Sequence, residues 1–304
     1  MKLYDDTVLK DAIDIHIHVG PDYMPRYADA ITLAEEARDA GMKAIVVKCH
    51  LTSTVGAAQA ACQAVPEVKT VGSIALNGTV GGLNPRSVKA AVLSGAGVVW
   101  LPTVDAQYAM DKAGEGHWIG HYVNGSNFGY PCARLSVTDG EGQLKEEVKE
   151  IIRICKEYDV LLCSGHIGPN ECLAVAEYAK SIGFNKLEIT HANAWFEDFS
   201  IDVLKRLADC GAVISCSLGA MAPHNGREDP REVVEIIREI GAGHVVLMTD
   251  YGQVNAPSPA QGMRVFYYLM LKMGITKEEL ELMMKKNPAF LLGLEAGKEN
   301  SDVL

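Results

Sequence analysis

The sequence predicts a (β/α)8 TIM barrel, and three observations carry that expectation. One unit recurs along the 304 residues: a short β-branched apolar run, a turn, then an amphipathic helix. Alternation of this kind calls for a parallel sheet with right-handed crossovers. The unit recurs eight times, the count of a closed barrel. No GxGxxG follows the first run, so an open dinucleotide-binding sheet loses its usual support.

In order, the expected strands are 13–18, 44–49, 70–76, 97–102, 160–166, 187–191, 212–217 and 244–250. The helices between them are 31–40, 54–64, 85–94, 143–158, 170–182, 200–210, 230–240 and 259–273. Pro85 opens the third helix, where its missing N–H costs nothing. Gly41, Gly211 and Gly241 follow the first, sixth and seventh. Val148, Ile151, Ile152 and Cys155 form one apolar face of the fourth. Residues 103–141 break the rhythm with many glycines and aromatics and no clear period, as expected of an insertion serving as a lid. An extra C-terminal helix is expected over 276–294, ahead of a polar tail. The whole chain, 1–304, reads as one barrel domain.

Composition limits the function. A net charge of −11 argues against nucleic acid or an anionic membrane as partner. No run approaches the roughly 20 apolar residues of a membrane span. The N-terminus lacks the apolar core of a signal peptide. The eight cysteines include no CxxC pair, and several lie in apolar runs, as buried thiols do in a reducing compartment. A cytoplasmic location is expected.

The chemistry starts at Ile13-Asp14-Ile15-His16-Ile17-His18. Strict alternation would put Asp14, His16 and His18 on one face. Alone, this reads equally as a wet edge strand or as half of a metal site. The other strands decide it. Lys48 and His50 follow the second strand, His166 the fifth, His191 the sixth and Asp250 the eighth. In a barrel these ends converge on the C-terminal face, where active sites form. Imidazoles and a carboxylate around an open position suit Zn2+, with Mn2+ or Fe2+ as alternatives, as one or two ions. Such an ion acidifies water and polarises a carbonyl or phosphoryl oxygen. Asp250 is placed to act as general base and acid. Asp14 reads as a support that orients an imidazole, or as a plain buried hydrogen-bonding group.

These residues in this strand order resemble the amidohydrolase superfamily of metal-dependent hydrolases. Asn287-Pro288-Ala289 with Leu291-Leu292-Gly293 resembles its C-terminal helix. Thr249-Asp250-Tyr251-Gly252-Gln253 together with Lys48-Cys49-His50 is similar to an uncharacterised branch of it. The resemblance implies His16, His18, His166, His191 and Asp250 as ligands, with the fold and chemistry above. There is one departure. Many dinuclear members carry a bridging carboxylated Lys, or a Glu, after the fourth strand, where this chain has Trp100-Leu101-Pro102-Thr103. Lys48 could supply the bridge from the second strand, because a neutral amine takes up CO2. Its alternatives are a salt bridge or a contact to a substrate carboxylate.

The expected substrate contacts are Arg26, His50, Tyr251, Gln253 and Asn255. His117 and His121, four apart in the insertion, read as part of an aromatic lid that also reaches substrate. Cys49 draws notice only because it adjoins Lys48, and His244 reads as structural. The expected activity is attack of activated water on a small amide, cyclic amide, lactone or ester. Phosphoester hydrolysis, deamination and decarboxylation are alternatives on the same barrel, and a binding scaffold without turnover is the non-enzymatic one. The partner is a small molecule, and a homo-oligomer stays open.

Overall fold

A computed structural model describes residues 5, 7–113, 133–222 and 228–294. Eight strands form one sheet in the order β1 to β8, each parallel to the next. They are β1 (Ile13–His18), β2 (Ala44–Lys48), β3 (Lys69–Ala75), β4 (Ala96–Trp100), β5 (Leu161–Cys163), β6 (Leu187–Ile189), β7 (Val213–Ser217) and β8 (Val245–Met248). The sheet closes just beyond the end of β8. The Asp250 N–H donates to His16 O at 3.0 Å, and the His18 N–H donates to Tyr251 O at 2.7 Å. The expected (β/α)8 barrel is the fold found.

Helices α1 (Ala30–Asp39), α2 (Val55–Ala64) and α3 (Pro85–Leu93) follow the first three strands. The fourth is followed by α4 (Gln107–Ala113) and α5 (Glu146–Glu157). Then come α6 (Pro169–Ser181), α7 (Ile201–Asp209), the short α8 (Leu218–Met221), α9 (Pro230–Ile240) and α10 (Pro259–Lys272). Their starts are written in the sequence. Asp29, Ser200, Asp229 and Ser258 each accept a hydrogen bond from a first-turn N–H. The chain ends in α11 (Lys277–Glu281), a π-helical turn (Leu282–Lys286) and α12 (Asn287–Leu291). Among the described residues, no helix is long and apolar enough to cross a membrane.

Two cores result. The larger lies between barrel and helices. The smaller fills the barrel with Ile13, Ile15, Val46, Trp100, Leu161 and Met248 among others. Ala289 and Leu291 of α12 pack into that inner core and couple the C-terminal helix to it.

Strand β1 departs from strict alternation. Ile13 and Ile15 belong to the inner core and Ile17 to the outer one. Its register with β2 shifts between Asp14 and Ile17. This irregularity lets Ile15, His16 and His18 all serve the barrel interior while Asp14 turns toward β8. The expected 103–141 insertion also holds more order than its composition suggested. It contains α4 and pairs Ala106 with Leu135 and Thr138 with Leu144. His117 and His121 lie outside the described residues.

The closing seam leaves no room beside it. A Cβ on Gly252 would stand 2.0 Å from His18 O, at a φ of +126°. Gly252→Ala should therefore lower the unfolding free energy by on the order of 3 kcal/mol or more. Gly243→Ala, where nothing lies within 4 Å, serves as control and should stay within about 0.5 kcal/mol of the parent. Denaturant titration of both variants checks this, and equal midpoints would contradict it.

Candidate metal centre

Barrel closure sets the geometry of the site. His16 and His18 end β1, and Asp250 lies two residues beyond β8. The two imidazoles converge on one oxygen: Asp250 Oδ1 lies 3.2 Å from His16 Nε2 and 3.0 Å from His18 Nε2. The ligand atoms of these three residues all lie within 4.8 Å of one another. His50, His166 and His191 ring them. The His191 centroid is 5.9 Å from that of His16, and His166 stands 5.0 Å from His191. The His50 ring is 4.9 Å from His18, and its Nδ1 lies 2.8 Å from Thr103 Oγ1. Tight turns deliver two of the residues, since His191 and Asp250 have φ values of +34° and +56°. Non-glycine residues hold such values mainly where surrounding structure imposes them.

Beneath this ring lies Lys48, fully buried, with Nζ 3.1 Å from His16 Nε2 and 4.4 Å from the centre of the Trp100 ring. Trp100 thus floors the site at the position where the resemblance looks for a bridging residue. A second buried carboxylate, Glu188 of β6, accepts hydrogen bonds from Ser215 and Thr190 inside the barrel. Ser215 Oγ in turn accepts from the His191 N–H at 2.9 Å. A third, Glu197, sits with Oε1 3.3 Å from His191 Nδ1. Neither carboxylate oxygen of Glu197 makes a hydrogen bond. Glu188 and Glu197 are not among the site residues expected from the sequence. The alternation of Leu187-Glu188-Ile189 within an apolar strand was the available signal for one of them.

Of the two roles open to Asp14, its contacts are those of a buried hydrogen-bonding group. Its Oδ1 accepts from the backbone N–H groups of His16 and Thr249, both at 3.2 Å, and its Oδ2 from the Thr249 hydroxyl. It secures the main chain of both seam strands and touches no imidazole in these bonds. Tyr251 packs in the outer core, close against Gly262 of α10. Arg26, His50, Gln253 and Asn255 do line the cavity above the ligands. Arg26 is engaged by Asp22: Nε donates to Oδ2 at 2.7 Å, and both side chains are buried. Asp22 also accepts from the Cys49 thiol at 3.5 Å. His244 lies in a helical turn before β8, at the opposite end of the strand.

Electrostatics test whether a cation fits. Burial, with Lys48 and neighbouring imidazoles adding to it, holds His16 well below the usual imidazole range. Burial likewise lowers His18, His50 and His166, and takes His191 to about 3. All five rings are therefore neutral near pH 7, the state in which imidazole binds metal. Burial raises Asp250 to about 7 and lowers Lys48 to about 8. His16 Nδ1 and His18 Nδ1 are buried and have no hydrogen-bond partner. Neutral nitrogens and a destabilised carboxylate form a donor set short of positive charge. A divalent first-row cation supplies that charge, so the residues fit one.

Fold and site together define a metal-ligand cluster at the C-terminal mouth of a (β/α)8 barrel. The chain belongs to a family of unknown function, DUF6282, whose model matches residues 11–215. No curated protein matches it. Several solved structures share its fold. An amidohydrolase from Pseudomonas aeruginosa superposes with a TM-score of 0.58 at 13% identity, over 94% of this chain and 97% of that one. Dipeptidase AC, a metallopeptidase, gives 0.61 at 13%, over 93% and 98%. An organophosphorus hydrolase from Deinococcus radiodurans gives 0.59 at 14%, over 94% of each chain. At these identities the likeness establishes the fold alone.

The charge states predict how metal uptake depends on pH. The imidazoles carry no proton to displace, whereas Asp250 with its raised pKa does. Affinity should climb about tenfold per pH unit up to about 7 and level off above it. Competition against a chelator from pH 5.5 to 8 reads this out, and a flat profile between pH 6 and 7 would remove Asp250 from the ligand set.

Proposed function

We propose that this protein is a metal-dependent hydrolase of a small polar substrate: an amide, cyclic amide, lactone or ester. The convergence of His16, His18 and Asp250 on one point carries the reading. His16, His18, His166, His191 and Asp250 would hold the ion, with Zn2+ the first choice for this nitrogen-rich set. When bound, the ion supplies Lewis acidity and an acidified water. The hydrolase chemistry named for the structural neighbours is consistent with that role.

The chain's own groups handle protons and position. Asp250 lines the cavity at the point where the His16 and His18 rings converge, so its carboxylate is placed to take a proton from water and return it to the leaving group. The ring of His191 has a carboxylate, Glu197, at its outer nitrogen. A neutral ring that turns its proton toward Glu197 presents Nε2 to the site. His50 is aimed by Thr103, which Asn77 holds in turn through an Nδ2–H bond of 2.7 Å. Lys48 would bridge two ions as a carboxylated lysine. Its burial beside His16 and its lowered pKa, which leaves a neutral amine within reach, support that role.

Purified protein should contain a stoichiometric transition metal by elemental analysis and should hydrolyse members of an amide, lactone and ester panel. Asp250→Asn should lower turnover by about 1,000-fold or more without unfolding the barrel. A rate near that of the parent would reject Asp250 as the base. Lys48→Ala should reduce the metal count from two ions to one, and an unchanged count would reject the bridge.

A further inference from the structure

Above the ligands the cavity has a volume of about 360 Å3, near the low end of the roughly 300–1,000 Å3 of small-molecule sites. Its walls differ in character. One side is apolar and follows β6: Ala194, Trp195 and Phe196, with Ala220 of α8 beside them. Phe196 is 5% exposed and packs with Ala106, Ala109, Ala194 and Ala220 in a core cluster of its own. Its ring meets His166 and His191 edge-on, at 5.3 and 5.4 Å. Trp195 stands T-shaped to it at 5.9 Å and is 44% exposed, so an aromatic surface runs from the ligands out to the rim. Val254, 62% exposed, lies on the rim of the same cavity.

The opposite side is polar but close to neutral in charge. Among the described residues, Arg26 is the one Lys or Arg lining the cavity, and Asp22 neutralises it. Asp22 holds Nε and Nη2 of Arg26 in a buried ion pair, which offsets the positive charge that Arg26 presents to the cavity. Gln253 and Asn255 on that side offer uncharged hydrogen-bonding groups.

We infer that the substrate is an uncharged acyl compound with a flat, apolar group beside its scissile carbonyl, seated against Trp195 and Phe196. This rests on the metal-hydrolase reading and names its substrate class. It also narrows the expected substrate contact of Arg26 to an uncharged group.

Hydroxamates test it, because they bind a metal through one group and vary freely beyond it. Benzohydroxamate, acetohydroxamate and succinate monohydroxamate would be titrated calorimetrically into the zinc-loaded protein, into Trp195→Ala and into Trp195→Phe. Benzohydroxamate should bind at least about tenfold more tightly than acetohydroxamate. The acidic succinyl compound should bind no more tightly than acetohydroxamate. Trp195→Ala should bring benzohydroxamate down to the level of acetohydroxamate, and Trp195→Phe should restore most of the difference. Equal affinity for the benzoyl and acetyl compounds, or a preference that survives Trp195→Ala, overturns the aromatic seat. Tightest binding of the succinyl compound overturns the uncharged substrate. Zinc uptake followed by binding of any hydroxamate keeps the metal reading in place while these outcomes decide the inference. Failure to take up zinc overturns both.

Discussion

The seam between β1 and β8 is the constraint on which the site depends. His18 and Asp250 are 232 positions apart and meet only because the sheet closes. The bonds that close it come from the ligand residues' own backbones: the Asp250 N–H to His16 O and the His18 N–H to Tyr251 O. Asp14 then braces both strands at once, through the main chain of His16 and of Thr249. A ligand set built across a seam inherits the rigidity of the sheet. Preorganisation of this kind is what holds neutral imidazoles and a carboxylate together with no solvent between them.

The buried charges follow one logic. Glu188, Glu197, Asp14 and Asp250 are all raised by burial, and Lys48 is lowered by it. Lys48 is a fully buried cation among these carboxyl groups, and it also leans on Trp100. The interior is thus poised for additional positive charge. Buried charges without partners are costly, and binding an ion that relieves several of them couples stability to occupancy.

Much of this was legible in the sequence because strand ends in a barrel have one destination. Counting eight apolar runs placed His166, His191 and Asp250 at the same mouth as His16 and His18. The boundaries were less legible. The expected strands 160–166, 187–191 and 244–250 contract to Leu161–Cys163, Leu187–Ile189 and Val245–Met248. The polar residues lie just past the ladder, where the backbone is free to turn the side chain inward. The left-handed φ of His191 and Asp250 records that turn, and no local propensity announces it. Alternation misled on β1, because a register shift exchanges the faces of Asp14 and Ile15. Helix α4 was hidden in a glycine-rich insertion, and the pairing of Arg26 with Asp22 depends on a loop shape that spacing alone does not give.

The first and eighth loops are joined beyond the barrel itself. Arg26 pairs with Gln253 in an antiparallel bridge, and the Tyr27 N–H donates to Gly252 O at 2.8 Å. That half of the rim is one mechanical piece made from two distant parts of the gene. An insertion in either loop would need a matching change in the other, so this half resists piecemeal variation.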